Sequence, residues 1–188
     1  MNLKTYTRDF NDVLQCVNPQ EVDACISLLK EAYDNNRQVF IFGNGGSGAN
    51  ASHICEDLAK DTLQNFDTQK RLRVMSLTDN TSAILAWAND NGYESIFAEQ
   101  MKNFAQAGDI AIAISGSGNS PNVLCAVEYA NNHGLATVGC TGYDGGKLQD
   151  LAQHNIHIPS HNMGMVESVH LIIFHYIIKT LKGRFAQS

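Results

Sequence analysis

Short unbroken apolar runs alternate along this chain with longer stretches in which apolar positions recur every three or four residues. The short segments are Val39 to Phe42, Leu72 to Leu77, Ile110 to Ile114, Ala136 to Cys140 and Ile156 to Pro159. Their length and aliphatic content predict five strands buried on both faces, the pattern of a parallel sheet. Ala49 to Lys60, Ile96 to Gln106, Asn122 to Asn131 and Met165 to Leu181 carry helical periodicity. An extra N-terminal helix over Pro19 to Tyr33 precedes the first strand, with Asn18 as its N-cap and Pro19 at its first position. Such alternation predicts an α/β fold, a three-layer αβα sandwich around a five-stranded parallel sheet with right-handed crossovers. Ligands of these sheets bind beyond the carboxyl ends of the strands, which points to the segments after the first and third strands.

The first of those segments is Gly43-Asn44-Gly45-Gly46-Ser47-Gly48, which follows a strand and opens a helix. Glycine lets the backbone approach a ligand closely, and the free N–H groups of a helix start point at an anion. No Gly-Lys-Ser/Thr follows, so this is not the lysine-bearing loop of nucleotide hydrolases. Gly43, Gly45 and Gly48 fit dinucleotide spacing, but no acidic residue closes the second strand until Asp79, which disfavours a nucleotide cofactor. By itself the segment also reads as a strand–helix turn with no ligand. Ser115-Gly116-Ser117-Gly118-Asn119-Ser120-Pro121 stands in the same relation to the third strand. Its three hydroxyls, with glycines between, suit the three oxygens of a monoester phosphate without any lysine. Ser120 also reads as the cap of the next helix, with Pro121 at the first position, and the two roles are compatible.

Composition narrows the partner. The 188 residues suit one domain over 1–188, and the net charge is −6. The only basic run, Lys70, Arg71 and Arg73, is too short for a nucleic-acid stripe, so no direct nucleic-acid partner is expected. A small phosphorylated metabolite remains compatible, because backbone donors act locally. The five cysteines form no Cys-x-x-Cys pair, which fits reduced thiols in a cytosolic protein. The start of the chain lacks the apolar core of a signal peptide, and the longest apolar run, Leu171 to Ile178, is interrupted by His175. A cytoplasmic location with no membrane partner is the expectation.

Gly43-Asn44-Gly45-Gly46-Ser47, His53, Asn89-Asp90, Ser115-x-Ser117-Gly118-Asn119-Ser120 and Thr141-Gly142-x-Asp144-Gly145-Gly146 together resemble phosphoheptose isomerases of the sugar-isomerase (SIS) superfamily. The resemblance implies a SIS fold, a homotetramer with sites near subunit interfaces, and aldose–ketose isomerisation of sedoheptulose 7-phosphate toward surface-carbohydrate precursors. It also reaches a replication-initiator-associating protein of the same fold, so a non-catalytic module binding a phosphosugar or a protein is the alternative. By the same resemblance, Asn44, Gly45, Gly46 and Ser47 would hold sugar oxygens. Ser115, Gly116, Ser117 and Ser120 would hold the phosphate, and Asn89, Asp90 and Glu167 would touch the substrate.

The family's zinc ligands are His, Glu, Gln and His, and the matching positions here are His53, Asp57, Glu167 and His175. Gly164 stands where the family carries an acid–base residue, and Met165 where it carries an arginine. These departures gather at the chemistry and spare the phosphate segments. His53 and Asp57 are four apart on one predicted helix, hence on one face. Glu167 and His175 lie about 12 Å apart along theirs at 1.5 Å per residue, so a shared ion needs both side chains to reach inward or ligands from different subunits. Two imidazoles with two carboxylates suit zinc or a similar divalent ion. Isomerisation through an enediol requires a base, an acid and stabilisation of the developing oxyanion. Asp57 or Glu167 would be the base and His175 the acid. Among Leu171, Ile172, Ile173 and Ile177, His175 also reads as a core histidine, and His170 is a rival partner for Glu167. Glu56 reads as a solvated helix residue, and His154, His157 and His161 as surface.

Overall fold

The computed structural model describes residues 2–186 and holds a five-stranded, all-parallel sheet in the order β2–β1–β3–β4–β5. The strands are β1 (Gln38–Gly43), β2 (Arg73–Ser76), β3 (Ile110–Ser115), β4 (Ala136–Thr141) and β5 (His154–His157). β1 and β3, in the middle, are buried at every position, which is why they read as unbroken apolar runs. β5 lies at an edge and pairs only with β4, so its outer positions are polar, and the strand starts two residues before the expected Ile156.

Helices α1 (Leu3–Gln15), α2 (Pro19–Asp34), α3 (Gly45–Lys60) and α8 (Met163–Phe185) cover one face. The opposite face carries α4 (Thr81–Asn91), a 3₁₀ turn (Tyr93–Ser95), α5 (Ile96–Lys102), α6 (Pro121–Asn132) and α7 (Gly146–Leu151). The apolar pattern predicts one helix before β1, and the chain has two. α1 buries no residue completely, so Phe10, Val13 and Leu14 touch the core only along one edge. α4 likewise buries no residue completely, and its weak pattern hides it in the sequence. α7 is a single short segment entered through Gly145, whose φ of 86° is left-handed.

α8 is 23 residues long, and its most apolar 18-residue stretch has a mean hydropathy of 1.2, enough by length and composition to cross a membrane. Here it packs as a core helix. Val166, Val169, Ile173, Phe174, Ile177 and Leu181 are buried against the sheet and the neighbouring helices. The Tyr33 and Phe185 rings stack with centroids 3.8 Å apart and close the end of α8 onto α2. His170 is buried on the same helix; its Nε2 faces the Thr141 carbonyl at 3.2 Å, so it partners the backbone and not Glu167.

Candidate active site

The register aligns Gly43 with Ile114 and Ser115 with Thr141, so the segments after β1, β3 and β4 emerge together at one edge of the sheet. The first glycine-rich segment is less a loop than a helix start. α3 begins at Gly45, four residues before the expected Ala49, and Gly46, Ser47 and Gly48 form its first turn. The amides of Gly46 and Ser47 have no partner further back in the helix, whereas that of Gly48 donates to Asn44 O at 3.0 Å; free amides of this kind are what an anion can use.

A cleft of about 260 Å³ lies between the two segments. Asn44 to Ser47 line one side, Ser115, Gly116, Ser117 and Ser120 the other, and Met163 and Glu167 of α8 close it. Every sugar- and phosphate-binding position expected from the sequence is in this lining except Asn89 and Asp90. Those two stand exposed at the end of α4, where Asn89 Nδ2 donates to Asp90 Oδ1 at 2.7 Å. Among the described residues no lysine or arginine lines the cleft, so a phosphate there would rest on neutral donors and helix termini. Ser115 Oγ and Ser120 Oγ are 3.3 Å apart, close enough to act on one group.

The third segment, after β4, braces the serine turn from behind. Gly142 N donates to Gly116 O at 2.9 Å, Leu148 N to Gly118 O at 2.9 Å, and Lys147 N to Asn119 Oδ1 at 3.2 Å. Gly118 has a φ of 64°, and a side chain there would collide with the Gly145 carbonyl. Only glycine satisfies both constraints. Gly46 is bare for a different reason: a Cβ would strike the carboxylate of Glu167, which lies directly above it.

A second cluster joins α3 to α8. His53 Nε2 is 3.5 Å and His175 Nε2 3.4 Å from the same oxygen, Asp57 Oδ2. One ligand atom from each of the three lies within 4.8 Å of the others. His175 is therefore no core histidine; its side chain is half exposed, and His170 is the buried one. Asp57 is buried, and burial first, then a hydrogen bond with Glu56, raises its carboxyl above the ordinary value. Two imidazoles and one carboxylate on a common centre form a donor set suited to a divalent ion such as zinc. Glu167, the expected fourth member, stands apart from this trio and faces the cleft. α8 thus sends Glu167 to the cleft and His175 to the trio.

Gly164 is exposed, with only Asn162 Oδ1 near a built Cβ at 3.5 Å, so the position has room for the larger residue it lacks. Met165 is buried and belongs to the packing of α8. Two residues at the cleft carried no signal in the sequence. Met163 packs its sulfur against Gly116, and Asn122, on the first turn of α6, bonds to Asn44. A methionine before an apolar helix and an asparagine after a cap both read as ordinary helix residues.

A model of the SIS domain matches residues 5–142. The phosphoheptose isomerase of Nitratiruptor sp. is 38% identical over 162 residues, 86% of this chain and 82% of that protein. That of Helicobacter pylori is 37% identical over 161 residues, again 86% of this chain and 82% of its own length. Among solved structures, the phosphoheptose isomerase of Francisella tularensis superposes with a TM-score of 0.89 at 25% identity, covering 96% of each chain. With the SIS-domain model over 5–142 and relatives 37–38% identical over 86% of its length, this chain belongs to the phosphoheptose isomerases of the SIS-domain family.

Proposed function

We propose that this chain, a single SIS domain over 1–188, is a cytoplasmic isomerase that interconverts sedoheptulose 7-phosphate and the aldose heptose 7-phosphate, feeding surface-carbohydrate precursors. The observation that carries the reading is that the same two helices, α3 and α8, line a cleft without lysine or arginine at Gly46 and Glu167 and, about two turns further along, bring together two histidines and an aspartate. Ser115, Gly116, Ser117 and Ser120 hold the phosphate. Asn44, Gly45, Gly46 and Ser47 meet the sugar oxygens, and Asn89 and Asp90, at the end of α4, also contact the substrate.

His53, Asp57 and His175 would hold a divalent ion, zinc in the first instance, with Glu167 turning in from the cleft as a fourth ligand. Such an ion would supply positive charge to steady the negative charge that develops on oxygen. Asp57, or Glu167 from the cleft, takes the proton from the carbon beside the carbonyl. His175, 3.4 Å from Asp57, serves the proton on oxygen. Glu167 stands where the family carries an amide, and its extra negative charge tightens a cation while leaving that cation less able to stabilise an enediolate.

The working form is a homotetramer. α4 buries no residue in one chain, and Leu85, Ile172 and Tyr176 are exposed, so apolar surface is left for other copies. Calorimetry with sedoheptulose 7-phosphate tests the assignment. Ser117→Ala with Ser120→Ala is expected to weaken binding by about 1–3 kcal/mol, the scale of hydrogen bonds to a charged group. Unchanged affinity would remove the phosphate role of the serine segment.

A further inference from the structure

Asparagine occupies the N-cap of five helices, and four of those side chains cap. Asn2 accepts from Thr5 N, Asn18 from Gln20 N, Asn80 from Ala83 N and Asn162 from Met165 N. Asn44, at the start of α3, makes no capping bond although its backbone is extended like that of a capping residue. Its side chain is held elsewhere. Asn44 Nδ2 donates to Asn122 Oδ1 at 2.9 Å, Asn122 Nδ2 donates back to Asn44 Oδ1 at 2.8 Å, and the Tyr93 hydroxyl donates to the same Asn44 oxygen at 3.0 Å.

The polarity of this network is fixed from outside. Val123 N, which can only donate and also bonds to Ser120 O at 3.1 Å, reaches Asn122 Oδ1 at 3.0 Å, a contact that favours oxygen there and nitrogen at the other Asn122 position. Asn44 Oδ1 then carries two donors and is filled. The one oxygen that could cap α3 is occupied, so the amides of Gly46 and Ser47, both in the cleft lining, receive no capping bond, while that of Gly48 pairs with Asn44 O at 3.0 Å. The remaining Nδ2–H of Asn44 is left as a donor. Asn122 is 1% exposed, so its amide has no water to turn to, and the pair ties the first turn of α6 to that of α3.

We infer that Asn122 and Tyr93 are positioning residues: they hold the Asn44 side chain off its own helix, keep the amides of the α3 N-terminus free for the phosphosugar, and limit Asn44 to donating. Neither touches the reacting atoms. The inference rests on the isomerase reading only for the choice of sugar phosphate.

Two variants and two readouts test it. Tyr93 is 55% exposed, so Tyr93→Phe removes one hydroxyl without a packing change. KM for sedoheptulose 7-phosphate is expected to rise about fivefold, the equivalent of one neutral hydrogen bond, with an unchanged melting temperature. Asn122→Ser removes both bonds of the pair, and KM is expected to rise about tenfold or more while kcat stays within about twofold. In a crystal structure of the doubly substituted protein, the Asn44 oxygen is expected to turn onto the first-turn amides of α3. A KM unchanged in both variants, or a loss confined to kcat, overturns the inference. If the unsubstituted protein leaves sedoheptulose 7-phosphate untouched, the isomerase reading fails. The crystal structure then still decides this inference: Asn44 turned onto α3 supports it, and Asn44 unmoved overturns it.

Discussion

His53 and His175 meet edge to face, with ring centroids 5.3 Å apart, where α3 passes α8. The two rings flank one Asp57 oxygen, and neither has another side-chain claim on it within the trio. His53→Ala and His175→Ala are each expected to lower zinc content at micromolar metal and to reduce turnover by about 100-fold or more, beyond the scale set by losing an outer-shell partner. Metal analysis after gel filtration, alongside the rate, checks this. Full zinc retention in both variants would remove the trio as the metal centre.

Glu167→Gln restores the amide expected at this position and takes one negative charge out of the cleft proposed for the phosphosugar. KM for the sugar phosphate is expected to fall about fivefold, since a unit charge at close range in water-like surroundings is worth roughly 1 kcal/mol. Metal affinity is expected to fall and kcat to rise. Steady-state kinetics over a zinc titration separates the two effects, and a drop in kcat at saturating zinc would instead make Glu167 a base.

Gly118→Ala places a side chain at a φ of 64° against the Gly145 carbonyl. The expected cost is about 1–3 kcal/mol in stability, together with loss of sugar-phosphate binding, because the serine segment must shift. Urea unfolding and calorimetry on the same preparation check both. Wild-type affinity in this variant would show that the third segment does not brace the second.

Buried His170 is the clearest acid-sensitive group of the fold. Burial holds its pKa down to about 4, against the opposing Thr141 and Ile156 backbone contacts, so it stays neutral in the folded protein. The unfolded chain takes up a proton below the ordinary histidine value. The folded pKa being depressed, its contribution is whole above pH 6.5 and is lost as pH falls from 6.5 toward 4. Between pH 7 and pH 5 this group is expected to remove about 2 kcal/mol of stability. His170→Asn should flatten that part of the slope in urea unfolding at fixed protein concentration. An unchanged slope would place the acid sensitivity elsewhere.

What the sequence disclosed followed from burial. β1 and β3 have apolar residues on both faces, and the glycines and serines that end them are set by backbone geometry, so strands and cleft were legible together. α1, α4 and α7 were not: α4 buries little and shows little periodicity, α7 is only six residues long, and α1, though clearly two-faced, is mostly polar and buries no residue completely. The trio was legible in part: His53 and Asp57 share one helix face, but His175 sits in a run of aliphatic residues that suits a core position equally well. Only the rotation of α8 separates the buried His170 from the exposed His175. The Asn44–Asn122 pair was invisible, since nothing in a chain marks which cap residue will decline to cap.

Proton transfer at the carbon next to a sugar carbonyl is the chemistry proposed for this cleft and trio. Zinc-loaded protein incubated with sedoheptulose 7-phosphate in heavy water, followed by NMR, measures that step without presuming the product. Deuterium entering at the carbon beside the carbonyl, abolished by chelator and by His175→Ala, is the expected result. No exchange with any five- to seven-carbon ketose phosphate would contradict the account and leave a phosphosugar-binding module.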